Sequence, residues 1–173
     1  MVKLTRRRVL AAGLGVAAAS TVAAGAVGGL ALSWWDRPPG EGLGALSTDE
    51  HAFADAVAEA WFPPGGTPAI SGSEARMADF LDEVVAHMEP STAKPFKLLL
   101  QALDAAPLPS RRSHFTALPL EERTEVLKEW VDSSSYLMRQ GSVGVLVLLG
   151  IGWTTHPVVA AQMSDWFPCG YGR

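Results

Sequence analysis

A chain of 173 residues with 14 basic and 18 acidic side chains has room for one domain of ordinary size. Lys3, Arg6, Arg7 and Arg8 precede position 34 and no acid does, so the remainder holds 10 basic against 18 acidic residues. That formal charge of −8 repels phosphate and argues against a nucleic-acid partner, and the single cysteine, Cys169, excludes an internal disulfide, a Cys-rich zinc site and a Cys-ligated iron–sulfur cluster built by this chain alone.

The stretch TRRRVLAAG at residues 5–13 resembles a twin-arginine export signal, the kind that serves proteins crossing a membrane already folded. From Val9 to Leu32 there is no charge, and the run is rich in Ala and Gly, which suits a weakly apolar signal better than a strong anchor. Ala24-Gly25-Ala26 and Ala31-Leu32-Ser33 are both small-residue sites, and neither fixes a cleavage point. Gly13-Leu14-Gly15-Val16-Ala17-Ala18 matches a dinucleotide fingerprint in letters only, since no strand precedes it and no acid follows about twenty residues on. Residues 1–33 therefore read as a signal segment. Residues 34–46, with Trp34, Trp35 and a Pro/Gly-dense stretch, read as a linker, and 47–173 as the folded domain.

Ser47-Thr48-Asp49-Glu50 has capping-box spacing and predicts a helix start, with Phe53, Val57 and Trp61 on its inner face and Pro63-Pro64-Gly65-Gly66 ending it. Residues 73–88 carry Met77, Phe80, Leu81, Val84, Val85 and Met88 on one face and leave Glu74, Arg76, Asp79, Asp82 and Glu83 outside. A third helix is expected from about Thr92, with Pro95 in its first turn, Phe96, Leu99, Leu100 and Leu103 buried, and Pro107 and Pro109 breaking it. Pro119 places a fourth start, with Leu120, Leu127, Trp130 and Val131 inside and an end near Ser133-Ser134-Ser135. The run Val143–Trp153 is apolar all round, which predicts a buried central helix, with a buried strand as the alternative. A last short helix runs from Thr155-His156-Pro157 to about Trp166. The fold class expected is all-α, a compact domain of five or six short helices after the signal segment.

No catalytic, cofactor-binding or metal-binding residues emerge. The four histidines, His51, His87, His114 and His156, fall on different elements, and the Glu83/His87 pair reads first as a solvated surface contact. Ser113-His114 lacks a nucleophile elbow and an identifiable orienting acid. The acids Asp79, Asp82 and Glu83, like Glu121, Glu122 and Glu125, read as solvated faces. The C-terminal region differs: Trp153, His156, Trp166, Phe167, Cys169 and Tyr171 gather aromatic area around Gly and Pro, and form the candidate partner interface. The same rings equally suit closure of a small core. Cys169 reads as a buried thiol, a free thiol or half of an interchain disulfide.

Trp61-Phe62-Pro63-Pro64, Phe115-Thr116-Ala117-Leu118-Pro119-Leu120-Glu121-Glu122-Arg123 and Gly152-Trp153-Thr154-Thr155-His156-Pro157, behind a twin-arginine-like start, resemble the gluconate 2-dehydrogenase subunit 3 family. The resemblance spans nearly the whole chain. It implies a non-catalytic small subunit and export escort, or hitch-hiker chaperone, of an FAD-dependent dehydrogenase of the glucose-methanol-choline class. FAD is then expected in the flavoprotein large subunit and not in this chain. Arg6 and Arg7 would address the twin-arginine translocase, and the complex would lie in the periplasm or on the outer face of the cytoplasmic membrane, with membrane association through the N-terminal segment. The alternative is a stand-alone membrane-tethered helical protein.

Overall fold

The computed structural model describes residues 37–166, with side chains through Met163. The signal segment with Arg6 and Arg7, and the tail residues Phe167, Cys169 and Tyr171, lie outside the described residues. Among the described residues the fold is all-α, with six helices and no strand. They are α1 (Thr48–Trp61), α2 (Met77–Ala86), α3 (Pro90–Ala105), α4 (Leu120–Val131), α5 (Tyr136–Thr155) and α6 (Pro157–Trp166). A single α-turn at Leu108–Arg111 and a 3-10 turn at Phe115–Ala117 link α3 to α4.

The capping box forms as read. The Glu50 amide donates to Ser47 Oγ at 3.4 Å, and the Ser47 amide donates to Glu50 Oε2 at 2.7 Å. The helix that follows is the centre of the molecule: α1 packs against α2, α3, α4, α5 and the 3-10 turn. Ala54, Ala56, Ala58 and Ala60 are buried beside Phe53 and Val57, and these small side chains let neighbours approach from several directions. Phe115 joins Phe53 edge-on at 5.5 Å between ring centroids and lies 5.1 Å from Trp130, so one aromatic column links α1, the 3-10 turn and α4.

Trp61 departs from expectation, being 42% exposed. Four-residue steps overshoot a 3.6-residue turn by about 40° each, so two steps from Phe53 swing position 61 out of the core arc. Trp61→Ala should therefore lower stability by only about 1 kcal/mol, far less than truncation of a fully enclosed Trp, as read from the urea midpoint.

Helix α2 begins at Met77, later than the pattern suggested, because residues 71–76 form a separate turn. Ser71 and Glu74 close it reciprocally: the Ser71 amide donates to Glu74 Oε2 at 2.8 Å, and the Glu74 amide donates to Ser71 Oγ at 3.2 Å. The Ser71 amide first, and then the Ser71 hydroxyl donating to Glu74 Oε2 at 3.0 Å, hold the Glu74 carboxyl below its ordinary pKa. Arg76 then adopts a left-handed conformation, φ 54°, which blocks continuation of the helix toward Ser73. Helix α3 starts at Pro90, so Pro95 lies inside it as the sixth residue and not in its first turn; Leu100 and Leu103 are buried, while Phe96 and Leu99 are half-buried.

The largest revision concerns α5. It is a helix, as expected, but it is not the buried centre. It runs over 20 residues, and 28% of its most apolar window is buried. Val145, Leu146, Leu149 and Gly152 face the core, whereas Leu137, Val147 and Ile151 are exposed. Its inner side meets α2 closely enough at Gly152 that a Cβ there would lie 2.6 Å from the Phe80 ring.

Candidate functional site

The sequence-proposed C-terminal cluster divides on inspection. Trp153, near the end of α5, stacks on Phe62 with ring centroids 4.3 Å apart and planes 17° from parallel. It packs against the edge of the core, so this ring serves closure of the domain. His156 caps the C-terminus of α5 and is half-buried. The Trp153 indole N–H and His156 Nδ1 are both buried without a hydrogen-bond partner among the described residues. Trp166 ends α6, with its side chain outside the described residues, as are Phe167, Cys169 and Tyr171.

The acids are not all solvated. Asp82, midway along α2, is buried and receives three successive main-chain N–H groups. Gly44 donates to Oδ2 at 2.7 Å, and Ala45 and Leu46 donate to Oδ1 at 2.9 and 2.7 Å. Burial opposes ionisation of this carboxyl, but the Leu46, Gly44 and Ala45 amides together outweigh it and hold the pKa below the ordinary value. Beside it, Asp79 joins His51 Nε2 at 2.7 Å and Arg76 Nε at 2.6 Å. Its pKa is also lowered: burial acts upward, and the bonds to His51 and Arg76 prevail.

Lys97, on α3, donates to the Ala45 carbonyl at 2.7 Å and stands 3.4 Å from Glu50 Oε2, while Gln101 Nε2 donates to Glu50 Oε1. Together these groups fasten residues 44–47 to mid-helix positions of α2 and α3. Sequence reasoning found the local Ser47–Glu50 pair but missed Asp82, Lys97 and Gln101, whose partners lie 36 to 52 residues away.

Two other sequence candidates resolve simply. His114 Nδ1 lies 2.8 Å from Asp104 Oδ2, which supplies the acid left unidentified, yet Asp104 Oδ1 also accepts the Thr116 amide at 3.0 Å. The pair therefore fastens the loop leading into the 3-10 turn, with His114 exposed. His87 Nδ1 is 2.8 Å from the Glu83 main-chain carbonyl, so its contact is with the backbone of α2 and not with the Glu83 carboxylate. Arg123 has a structural duty: it donates to Leu118 O at 2.9 Å and Ala56 O at 3.3 Å and pairs with Glu59 at 3.0 Å, clipping α4 to α1.

Among the described residues no group of three or more His, Cys, Asp or Glu side chains converges as a metal site. The crevice among Phe53, Val57, Leu103, Leu127, Trp130 and Val145 is too tight to admit water. What the described structure offers a partner is surface: a small helical domain with one long, partly uncovered apolar helix.

The family comparison gives this helical domain a place. The family described as gluconate 2-dehydrogenase subunit 3 matches residues 48–172, and the chain belongs to it. This is the small subunit of a dehydrogenase complex, accessory in role and associated with the dehydrogenase large subunit. Among curated proteins and solved structures, none matches the chain.

Proposed function

We propose that this chain is the non-catalytic small subunit and export escort of an FAD-dependent dehydrogenase of the glucose-methanol-choline class. The observation that carries the reading is the family match, which begins at the first residue of α1 and runs through the helical body. FAD, held by the large subunit, supplies the redox chemistry; the contribution of this chain is binding and transport. A twin-arginine signal on a folded small subunit gives a flavoprotein without its own signal a route across the membrane after its cofactor has been loaded. In this reading Arg6 and Arg7 address the translocase, the helical body grips the large subunit, and the assembled complex works in the periplasm or at the outer face of the cytoplasmic membrane.

The test is co-expression of the full chain with its large subunit, with flavin and dehydrogenase activity measured in the periplasmic fraction. Arg6→Lys together with Arg7→Lys should reduce exported flavoprotein by tenfold or more while leaving cytoplasmic complex formation intact. Undiminished export of the large subunit in that double variant would remove the escort role. Purification through a tag on this chain should yield a yellow, stoichiometric complex.

A further inference from the structure

On α5 the side turned away from the core follows a regular order. Leu137, Gln140, Gly144, Val147, Ile151 and Thr154 succeed one another at alternating steps of three and four residues, and all are exposed. That alternation is the seam spacing by which one helix meets another. Leu137, Val147 and Ile151 are among the most exposed large apolar side chains of the described structure, at 79%, 55% and 48%. From Leu137 to Ile151 the seam is about 21 Å long at 1.5 Å per residue.

The glycines of α5 sort by side. Inward-facing Gly141 and Gly152 leave room for Leu99 and Phe80, whereas a Cβ at Gly144 or Gly150 would meet nothing within 4 Å. Nothing within the described chain accounts for glycine at these two positions, where it weakens a helix relative to alanine. At the middle of an apolar seam, Gly144 instead permits close approach of a second backbone.

Charge narrows the occupant. Between Tyr136 and Met163 the only Lys, Arg, Asp or Glu is Arg139, in a body whose formal charge is −8. The outer side of α4, in contrast, carries Glu121, Glu125, Lys128 and Glu129, all exposed. An uncharged seam on an acidic protein suits an apolar protein surface. Apart from Arg139, which donates to the Ser133 carbonyl, it lacks the Lys and Arg flanks by which helices lying on anionic bilayers are held. Its inner residues are also engaged in the domain's own core.

We infer that the outer seam of α5, centred on Gly144, Val147 and Ile151, is a docking surface for an apolar helix of the dehydrogenase large subunit. The inference rests on the small-subunit reading, because membership of a multi-subunit family is what supplies the partner. It goes further by locating the contact on one helix face, centred on Gly144, Val147 and Ile151.

The test uses the full chain co-expressed with the large subunit and purified through a tag on the small one. Val147→Glu combined with Ile151→Glu should leave the helical circular dichroism of the small subunit unchanged and lower co-purifying flavoprotein at least tenfold. Lys128→Glu, on α4, should leave it unchanged. Gly144→Ala provides a second variant that cannot be dismissed as misfolded. It should raise the melting temperature of the isolated chain by a few degrees while reducing recovery of the large subunit.

Equal recovery with wild type and the double glutamate variant overturns the docking assignment while leaving the small-subunit reading intact. A wild-type chain that brings down no large subunit overturns both. Two further outcomes overturn the assignment in favour of another occupant: flotation with phosphatidylglycerol-containing vesicles, or self-association of the isolated chain, lost in the double variant while recovery of the flavoprotein is unchanged.

Discussion

Gly72→Ala lowers the melting temperature by roughly 10 °C or more, because the new methyl has no space and its neighbour is main chain. A Cβ on Gly72 would stand 2.2 Å from the Ala58 carbonyl oxygen and 2.3 Å from its carbon. Rotating a side chain cannot relieve that overlap. The loop has to lift from α1, and in lifting it stretches the bond from the Gly72 amide to the Phe62 carbonyl, 2.9 Å, and the bond from the Met77 amide to the Gly72 carbonyl, 3.3 Å. Overpacking against a rigid neighbour costs on the order of 3 kcal/mol or more. Gly66→Ala is the matched control in the same connection, since its nearest atom would be 3.6 Å away and its φ does not lie in the left-handed region. Thermal melts of the two variants side by side check the claim; equal, small shifts would contradict it.

Asp82→Ala should destabilise the fold by about 3 kcal/mol, because it leaves three converging amides without their acceptor, one of them on the buried Leu46. Asp82→Asn keeps one oxygen and loses the charge, and should fall roughly midway. The pH dependence follows from the lowered pKa. The unfolded chain takes up a proton at the ordinary carboxyl value, about 3.9, while the folded chain resists until lower pH. Asp82 therefore contributes its stability fully above that ordinary value and loses it as pH falls through the depressed folded one. The wild-type advantage over Asp82→Asn should be level between about pH 5 and 8 and shrink below about pH 4. Asp79 acts with the same sign. Urea titrations of both proteins across that range provide the measurement.

These same residues mark what the sequence could disclose. Capping at Ser47 and Glu50 is decided within four residues, and both of its hydrogen bonds were legible. So were the Pro119 and Pro157 helix starts and the all-α class, which follow from local punctuation and apolar spacing. Asp82 was misread because its partners are main-chain groups nearly forty residues earlier, which carry no compositional mark. The strap they belong to covers the Asp82 and Ala86 side of α2, whose buried arc lies roughly 60° from the one that apolar spacing alone picks out.

Helix α5 was misjudged for another reason. An unbroken apolar run has no polar face from which to read orientation, so burial by the domain and an uncovered face leave the same letters. The alternation of Leu137, Gly144, Val147 and Ile151 became visible only when Val145, Leu146 and Leu149 were seen occupying the opposite side. Trp153 was legible only as an aromatic: its stacking partner Phe62 lies ninety-one positions earlier in the chain, in a loop whose register no local pattern sets.

The clasp at Asp82 also determines how the body bears tension. A pull on the chain ahead of Gly44 arrives at one carboxylate that grips three consecutive amides, with Lys97 holding the Ala45 carbonyl as well. The load is therefore shared with α2 and α3 before it reaches the capped start of α1 at Ser47. In the proposed export role, a pull on the leading end would thus be taken up at mid-helix positions of α2 and α3, through Asp82 and Lys97.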